Sequence, residues 1–428
     1  MKTRIYNAKI ITMANGTDIL EGELHIEDDR ISFVGTREDA KKLLKETVFD
    51  REIDACGNVV MPGFKDAHTH SAMTFLRSYA DDLPLQEWLY NRVFPMEAKL
   101  TEEDVLWCSK LAIMEYLTSG ITANFDMYMK NEANAKASVD IGFRTVLCGS
   151  INDFGGTVEG IEEEYKHFNN YDKLLSYQIG FHAEYTTKRE TLEGIAELAH
   201  KYKAPVYTHN SETKSEVDGC IERYGKTPTA FLDSIGMFDY GGGGFHCVHM
   251  TDEDLDICKE KKIWVVTNPA SNVKLASGIA PIKKMLDIGI GLAIGTDGPA
   301  SNNCLDMFRE MFLTTALQKV SIPDASAVDA NDVLYMATVG GAHAMGLMDC
   351  DTLEKGKYAD LIIIDLNQPN MQPLNNISKN IVYSGSKQNV KLTMVAGKVL
   401  YEDGKFNIGI APEEIYEKAN ESIVRMKV

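Results

Sequence analysis

The hydrophobic pattern of this chain changes its period twice. Near the N-terminal end, Leu24 and Ile26, then Ile31 and Phe33, alternate with polar residues in ELHIEDDRISFVG around an acidic turn at Asp28-Asp29. Period 2 marks half-buried strands. The C-terminal end does the same: YADLIIIDL reads as a strand, and LTMVAGKVLYEDGKF as a hairpin broken at Gly397 with a turn near Asp403-Gly404. Between the ends, eight short apolar runs alternate with helical segments: NVVMPGF, TANFDMY, RTVLCGS, LSYQIGFHA, APVYTHN, GFHCVHM, IWVVTNP and IGLAIGTDG.

The helical segments carry start and stop signals. TEEDVLWCSKLAIMEYLTSG starts at Thr101 and stops at Gly120, and TDEDLDICKEKK starts at Thr251. In TTKRETLEGIAELAH, Thr187 and Glu190 are spaced as a capping box, with Leu192, Ile195, Ala196 and Ala199 on one face. The connection over 153–175 is polar and contains a helix, and GGGG at 241–244 reads as a loose turn into the sixth strand. Eight strands alternating with helices predict a (β/α)8 barrel with its site at the carboxyl ends of the strands. The expected division is a β-sandwich part over 1–58, the barrel over 59–354, and the rest of the sandwich with a terminal helix over 355–428.

Composition narrows the function. The 428 residues are 44% hydrophobic and 25% charged, with a net charge of -19. That charge argues against nucleic acid or an anionic membrane as partner and suits a small neutral or cationic molecule. The opening MKTRIYNAKIITM has no long apolar region, and the eight cysteines are scattered without a Cys-x-x-Cys pair. A cytoplasmic protein with reduced thiols is expected.

Polar residues cluster at the predicted strand ends. His68 and His70 follow the first run, His182 the fourth, and His209 with Glu212 the fifth; His246 and His249 share the sixth, and Asp297 follows the eighth. Residues i and i+2 of a strand share a face, so His68 and His70 can grip one ion. With His209 and Asp297 they suit a divalent ion such as zinc or iron. Glu212, close to the metal but not on it, can shuttle a proton, and an unligated imidazole can stabilise developing charge. His246 and His249 compete for that last role, and spacing to Asp297 favours His246.

In content and order, PGFKDAHTHSAMTFLRSYADDLPLQEWL, PMEAKLTEEDV, THNSETKSEV, HCVHMTDEDL, NPASNVKLASGIAPI and IGTDGPASNN resemble the amidohydrolase superfamily, in its branch of S-adenosylhomocysteine, methylthioadenosine and related adenine nucleoside deaminases. The resemblance implies a metal-dependent barrel with a small β-sandwich built from both ends. It implies one divalent transition metal per chain, zinc first and iron or manganese as alternatives, on His68, His70, His209 and Asp297. It places proton transfer on Glu212, a catalytic role on His246 beside Asp297, and ribose binding on Glu97, with His182 also facing substrate. Trp88 is a further candidate for the base or 5′ pocket, though an aromatic on a helix face is more often core. Asn302 and Asn303 are expected to hold the loop after the eighth strand. Homodimers or homotetramers are common with this fold.

One departure bears on the substrate. Relatives that take S-adenosylhomocysteine often carry arginines after the third strand, whereas this chain reads CGSINDFGGTVEGIEEE; Glu184 is expected to add negative charge near the pocket mouth. Methylthioadenosine, 5′-deoxyadenosine or adenosine are therefore favoured over S-adenosylhomocysteine. Three alternatives stand beside this reading. A deaminase or chlorohydrolase of a free base (guanine, cytosine, a triazine) is the nearest; Glu97 and the GKTP segment after the fifth strand count against it. A binuclear cyclic-amide hydrolase needs a lysine at the end of the fourth strand, where GFHAEYT has none. A non-catalytic barrel protein typically loses ligands that this chain keeps.

Overall fold

A computed structural model describes residues 1–45 and 47–427. Its eight parallel barrel strands are β1 (Phe64–Thr69), β2 (Ile121–Met127), β3 (Arg144–Cys148), β4 (Leu175–Ala183), β5 (Val206–Asn210), β6 (Gly242–His246), β7 (Ile263–Thr267) and β8 (Leu292–Ile294), hydrogen-bonded in that order. Every residue of β1, β2, β3, β5 and β6 is buried, as a parallel sheet covered on both faces requires. The first and last strands meet just beyond β8. There Asp297 N donates to His68 O (2.9 Å), and Thr296 donates through N (2.7 Å) and Oγ1 (2.5 Å) to the Asp66 carboxylate.

The two chain ends share one mixed sheet of nine strands. Val59–Pro62 sits inside it, parallel to Lys9–Ile10 on one side and antiparallel to Leu361–Ile364 on the other. The crossing into the barrel therefore falls at Gly63 rather than ahead of Val59: the run read as the first strand is two strands in two sheets. Ile5, Ile10, Leu24, Ile26, Val60, Leu361 and Met394 form a core of their own. Arg144 on β3 makes a buried two-pronged pair with Asp360 of the C-terminal segment, at 2.6 and 3.2 Å. An unpaired charge there would be costly, so the pair keys the sheet to the barrel.

The capping signals divide into two that form and one that does not. Thr101 and Asp104 make a reciprocal box at helix Glu102–Thr118, and Thr251 and Asp254 make another at Asp252–Lys261. Helix Arg189–Tyr202 instead begins after Lys188, with no side-chain cap. The chain enters it from a tight turn over Glu184–Thr186, so Thr187 lies one residue too early, and its buried hydroxyl has no hydrogen-bond partner.

The glycine run at 241–244 is a second correction. Gly242, Gly243 and Gly244 belong to β6, where a Cβ would fall 2.0 Å from Val206 O, 2.6 Å from the Tyr207 ring and 2.7 Å from Cys247 Sγ. The glycines are needed because β6 presses against β5, not because the chain turns.

Candidate metal centre

The carboxyl ends of β1, β5, β6 and β8 bring His68, His70, His209, His246 and Asp297 together. Ligating atoms of His68, His209 and His246 lie within 4.8 Å of one another, as do those of His68, His70 and Asp297. Ring centroids are 4.8 Å apart for His68–His70 and 4.9 Å for His68–His209. Below them, Phe245 of β6 stacks on His68 at 3.8 Å and floors the site.

Backbone carbonyls set the direction of two imidazoles. His70 Nδ1 lies 2.5 Å from Met127 O, and His209 Nδ1 lies 2.6 Å from His182 O. Each Nδ1 must carry the proton to donate there, which leaves Nε2 as a lone pair facing the cluster. His68 is 0% exposed, and neither ring nitrogen has a hydrogen-bond partner. Burial first, and then neighbouring His70, push His68 well below the ordinary imidazole range. Burial and His182 do the same to His209. Neutral imidazoles are the form that binds a metal.

Asp297 completes the cluster. Its Oδ1 is 3.3 Å from His70 Nε2 and 3.7 Å from His68 Nε2. Its Oδ2 accepts from Ser271 (2.5 Å) and Ser301 (2.8 Å), and Oδ1 accepts from Gly298 N (2.7 Å). Burial alone would raise this carboxyl, but His70 and the other imidazoles outweigh it and hold it well below the usual range. An orphaned buried imidazole, two lone pairs directed by carbonyls and an ionised carboxylate make a donor set that fits a divalent metal.

Backbone conformation at the strand ends is unusual. Ser211, His246, Cys247 and Asp297 all have positive φ, from 48° to 71°. Side-chain residues rarely adopt this region, and such outliers gather at functional sites.

A cavity of about 920 Å³ opens onto the cluster. Glu212 on its wall accepts from Ser277 Oγ (3.1 Å), and its Oε2 is 3.9 Å from His246 Nε2. His246 Nδ1 is 2.7 Å from Asn272 Oδ1. His249 is outside the cluster, hydrogen-bonded to Ser277 O. Glu97 lines the cavity and accepts from Tyr128 Oη at 2.7 Å. Burial pushes its carboxyl up, against the pull of that hydrogen bond. Trp88 and His182 also line the cavity, His182 with Nδ1 2.9 Å from Thr186 Oγ1. Burial, followed by His70, pushes His182 down to about 4. His70, Trp88, Glu97, His182, His209, Glu212, His246 and Asp297 thus face one space, and His68 is buried against the cluster.

Other expectations change. Glu184 is buried and held by Arg223 at 2.6 and 3.2 Å, so it puts no free charge at the mouth. The GKTP segment does not line the cavity; Thr227 caps helix Pro228–Ser234 instead. Asn302 bonds Thr296 O and Glu310, and Asn303 bonds Asp81, so both hold the loop. Ser271, Asn272, Ser277, Ser301 and Tyr128 were not singled out in the sequence. The first three lie within NPASNVKLASG, a segment whose polar residues were the available signal.

Comparisons agree with this geometry. The Amidohydrolase family profile matches residues 59–400. The chain is 39% identical over the whole of both chains to the 5-methylthioadenosine/S-adenosylhomocysteine deaminase of Caldanaerobacter subterraneus subsp. tengcongensis. It is 40% identical, over 95% of each chain, to the protein of that name from Moorella thermoacetica. A zinc-bound adenosine deaminase structure from Xanthomonas campestris superposes with a TM-score of 0.93 at 32% identity, covering 99% of this chain and 98% of that one. The profile spans most of the chain and the relatives span at least 95% of it: this chain belongs to the amidohydrolase family.

Proposed function

We propose that the chain is a metal-dependent hydrolytic deaminase of an adenine nucleoside, releasing ammonia and the inosine analogue. The observation that carries this reading is one cavity holding the histidine–aspartate nest, the Glu212–His246 pair beside it and the Glu97–Tyr128 pair further along its wall.

His68, His70, His209 and Asp297 would hold one divalent ion, with zinc favoured by the imidazole-rich set and by the zinc-bound relative. Such an ion would supply a water of near-neutral pKa as the nucleophile for C6 of the adenine ring. Glu212 would take one proton from that water and deliver it to the ring nitrogen. His246, turned by Asn272 so that Nε2 faces the cavity, stabilises the charge that develops on the attacking oxygen. Asp297 would accept the second proton of that water as the adduct collapses, and that proton would leave with the amino group as ammonia. Glu97, held by Tyr128, accepts the ribose hydroxyls. His182 and Trp88 bound the nucleoside.

The 5′ group decides among nucleosides. The wall carries Leu89, Val93, Phe94, Ile151 and Phe154 together with the acidic Glu163 and Glu164, and Lys130 is the one lysine or arginine among the described lining residues. Methylthioadenosine, 5′-deoxyadenosine and adenosine are favoured over S-adenosylhomocysteine, whose carboxylate would meet so little positive charge there. β4 brings no lysine to the site, which disfavours a binuclear cyclic-amide hydrolase. The reading expects a protein of the cytoplasm with its eight cysteines free, and a homodimer or homotetramer as the assembly.

Ammonia release across adenosine, 5′-deoxyadenosine, methylthioadenosine, S-adenosylhomocysteine, guanine and cytosine tests the reading. An adenine nucleoside with a small 5′ group should have the highest kcat/KM. A free base as best substrate would overturn the nucleoside reading, and S-adenosylhomocysteine as best by a wide margin would overturn the 5′ preference.

A further inference from the structure

We propose that Glu216 is a positioning residue that aims Glu212 at the substrate and acts on turnover through Glu212. This rests on the deaminase reading above.

Glu216 is buried in the first turn of helix Lys214–Tyr224. Its two carboxylate oxygens take consecutive backbone donors of the loop after β5: Oε1 accepts from Ser211 N and Oε2 from Glu212 N, both at 2.8 Å. Ser211 has φ +51°, and its carbonyl accepts from Val248 N (3.1 Å) and His249 N (2.9 Å). The turn that carries Glu212 is thus clamped on its donor side by Glu216 and on its acceptor side by the loop after β6.

Two other helices of the protein show what capping alone would look like. At Thr101 and Thr251, the N3 aspartate reaches back to the N-cap N–H, at 2.7 and 2.9 Å, and to the same residue's hydroxyl, and takes no backbone donor ahead of the cap. At helix Lys214–Tyr224 the N-cap is Thr213, whose Oγ1 accepts from Glu216 N at 3.2 Å. Glu216 has one methylene more than an aspartate, and its carboxylate reaches further back, to the two residues ahead of the cap. This placement is expensive. Glu216 shares its surroundings with Glu212, and burial first, then the charge of Glu212, push its carboxyl up to about 7. A neutral or shorter residue would cap the helix without setting two buried carboxylates side by side. The longer acid is explained by where it holds Glu212.

Glu216→Asp separates the two roles, because an aspartate can cap as Asp104 and Asp254 do but cannot reach Ser211 and Glu212. Wild type, Glu216→Asp, Glu212→Gln and the double variant are assayed for kcat, KM, metal content and Tm on the best adenine nucleoside. Glu216→Asp should keep its Tm within a few degrees and its metal, hold KM within about twofold, and lose at least tenfold in kcat. On the Glu212→Gln background the same change should alter the residual rate by less than twofold, because residues acting as one unit are non-additive. A Glu216→Asp kcat within twofold of wild type would overturn the proposal, as would a loss that multiplies in full on top of Glu212→Gln. Wild type inactive on every adenine nucleoside would show the failure of the deaminase reading itself, before any variant is compared.

Discussion

His246 Nδ1 lies 2.7 Å from Asn272 Oδ1, and both side chains are buried. An amide oxygen only accepts, so Nδ1 donates its proton to Asn272 and Nε2 faces Glu212 and the cavity. The orientation of His246 is set by a residue 26 positions on, in the segment after the next strand, β7. Asn272→Ala leaves the ring free to turn and to change tautomer. The loss of oriented charge stabilisation should lower kcat by about tenfold or more, with metal content unchanged. Steady-state kinetics beside metal analysis checks this, and an unchanged kcat would release Asn272 from the role.

The nest should also be a stability element. His68 is buried with both nitrogens unpartnered, which costs free energy until an ion takes one of them. Chelation should therefore lower Tm, and zinc should restore it. At a free ion concentration 100 times Kd, the native state gains about 2.7 kcal/mol. His68→Ala should lose both the metal and the zinc-dependent rise in Tm. A Tm indifferent to chelator and zinc in the wild type would contradict the ligand assignment.

Glu310 gives a pH signature. It accepts from Ala270 N (3.0 Å) and Asn302 Nδ2 (2.8 Å), tying the segment after β7 to the loop after β8. Burial pushes its carboxyl up to about 8. A carboxyl raised on folding is protonated in the native state while the unfolded chain is ionised. Its contribution to stability is complete below about pH 4.5 and is lost as pH rises toward 8. Glu310→Gln removes that titration. Urea unfolding between pH 5 and 8.5 should show wild-type stability falling more steeply than the variant's, by at most about 1.4 kcal/mol per pH unit. Parallel slopes would show that Glu310 is ionised throughout.

The histidine–aspartate cluster was legible because it is written locally. His68 and His70 follow an apolar run at strand spacing, His209 and Glu212 follow another, and Asp297 closes the last; each needs only its own strand to be placed. The barrel was legible for the same reason, since burial on both faces makes parallel strands continuous apolar runs. What failed was set by contacts across strands. Gly242 and Gly243 look like a turn until β5 is beside them. Thr187 looks like a cap until the turn at Glu184–Thr186 delays the helix. Glu184 looks like a free charge until Arg223, 39 residues on, meets it. Asn272, Ser271 and Tyr128 carry no spacing signal, because their partners lie on other strands.

Glu212→Gln tests the central claim most directly. The amide keeps the shape of the side chain and removes the group that moves protons. Ammonia release from the best adenine nucleoside should fall by at least about a hundredfold, while the variant binds as much metal as the wild type and KM changes little. A Glu212→Gln protein that keeps its metal and full turnover would contradict the account.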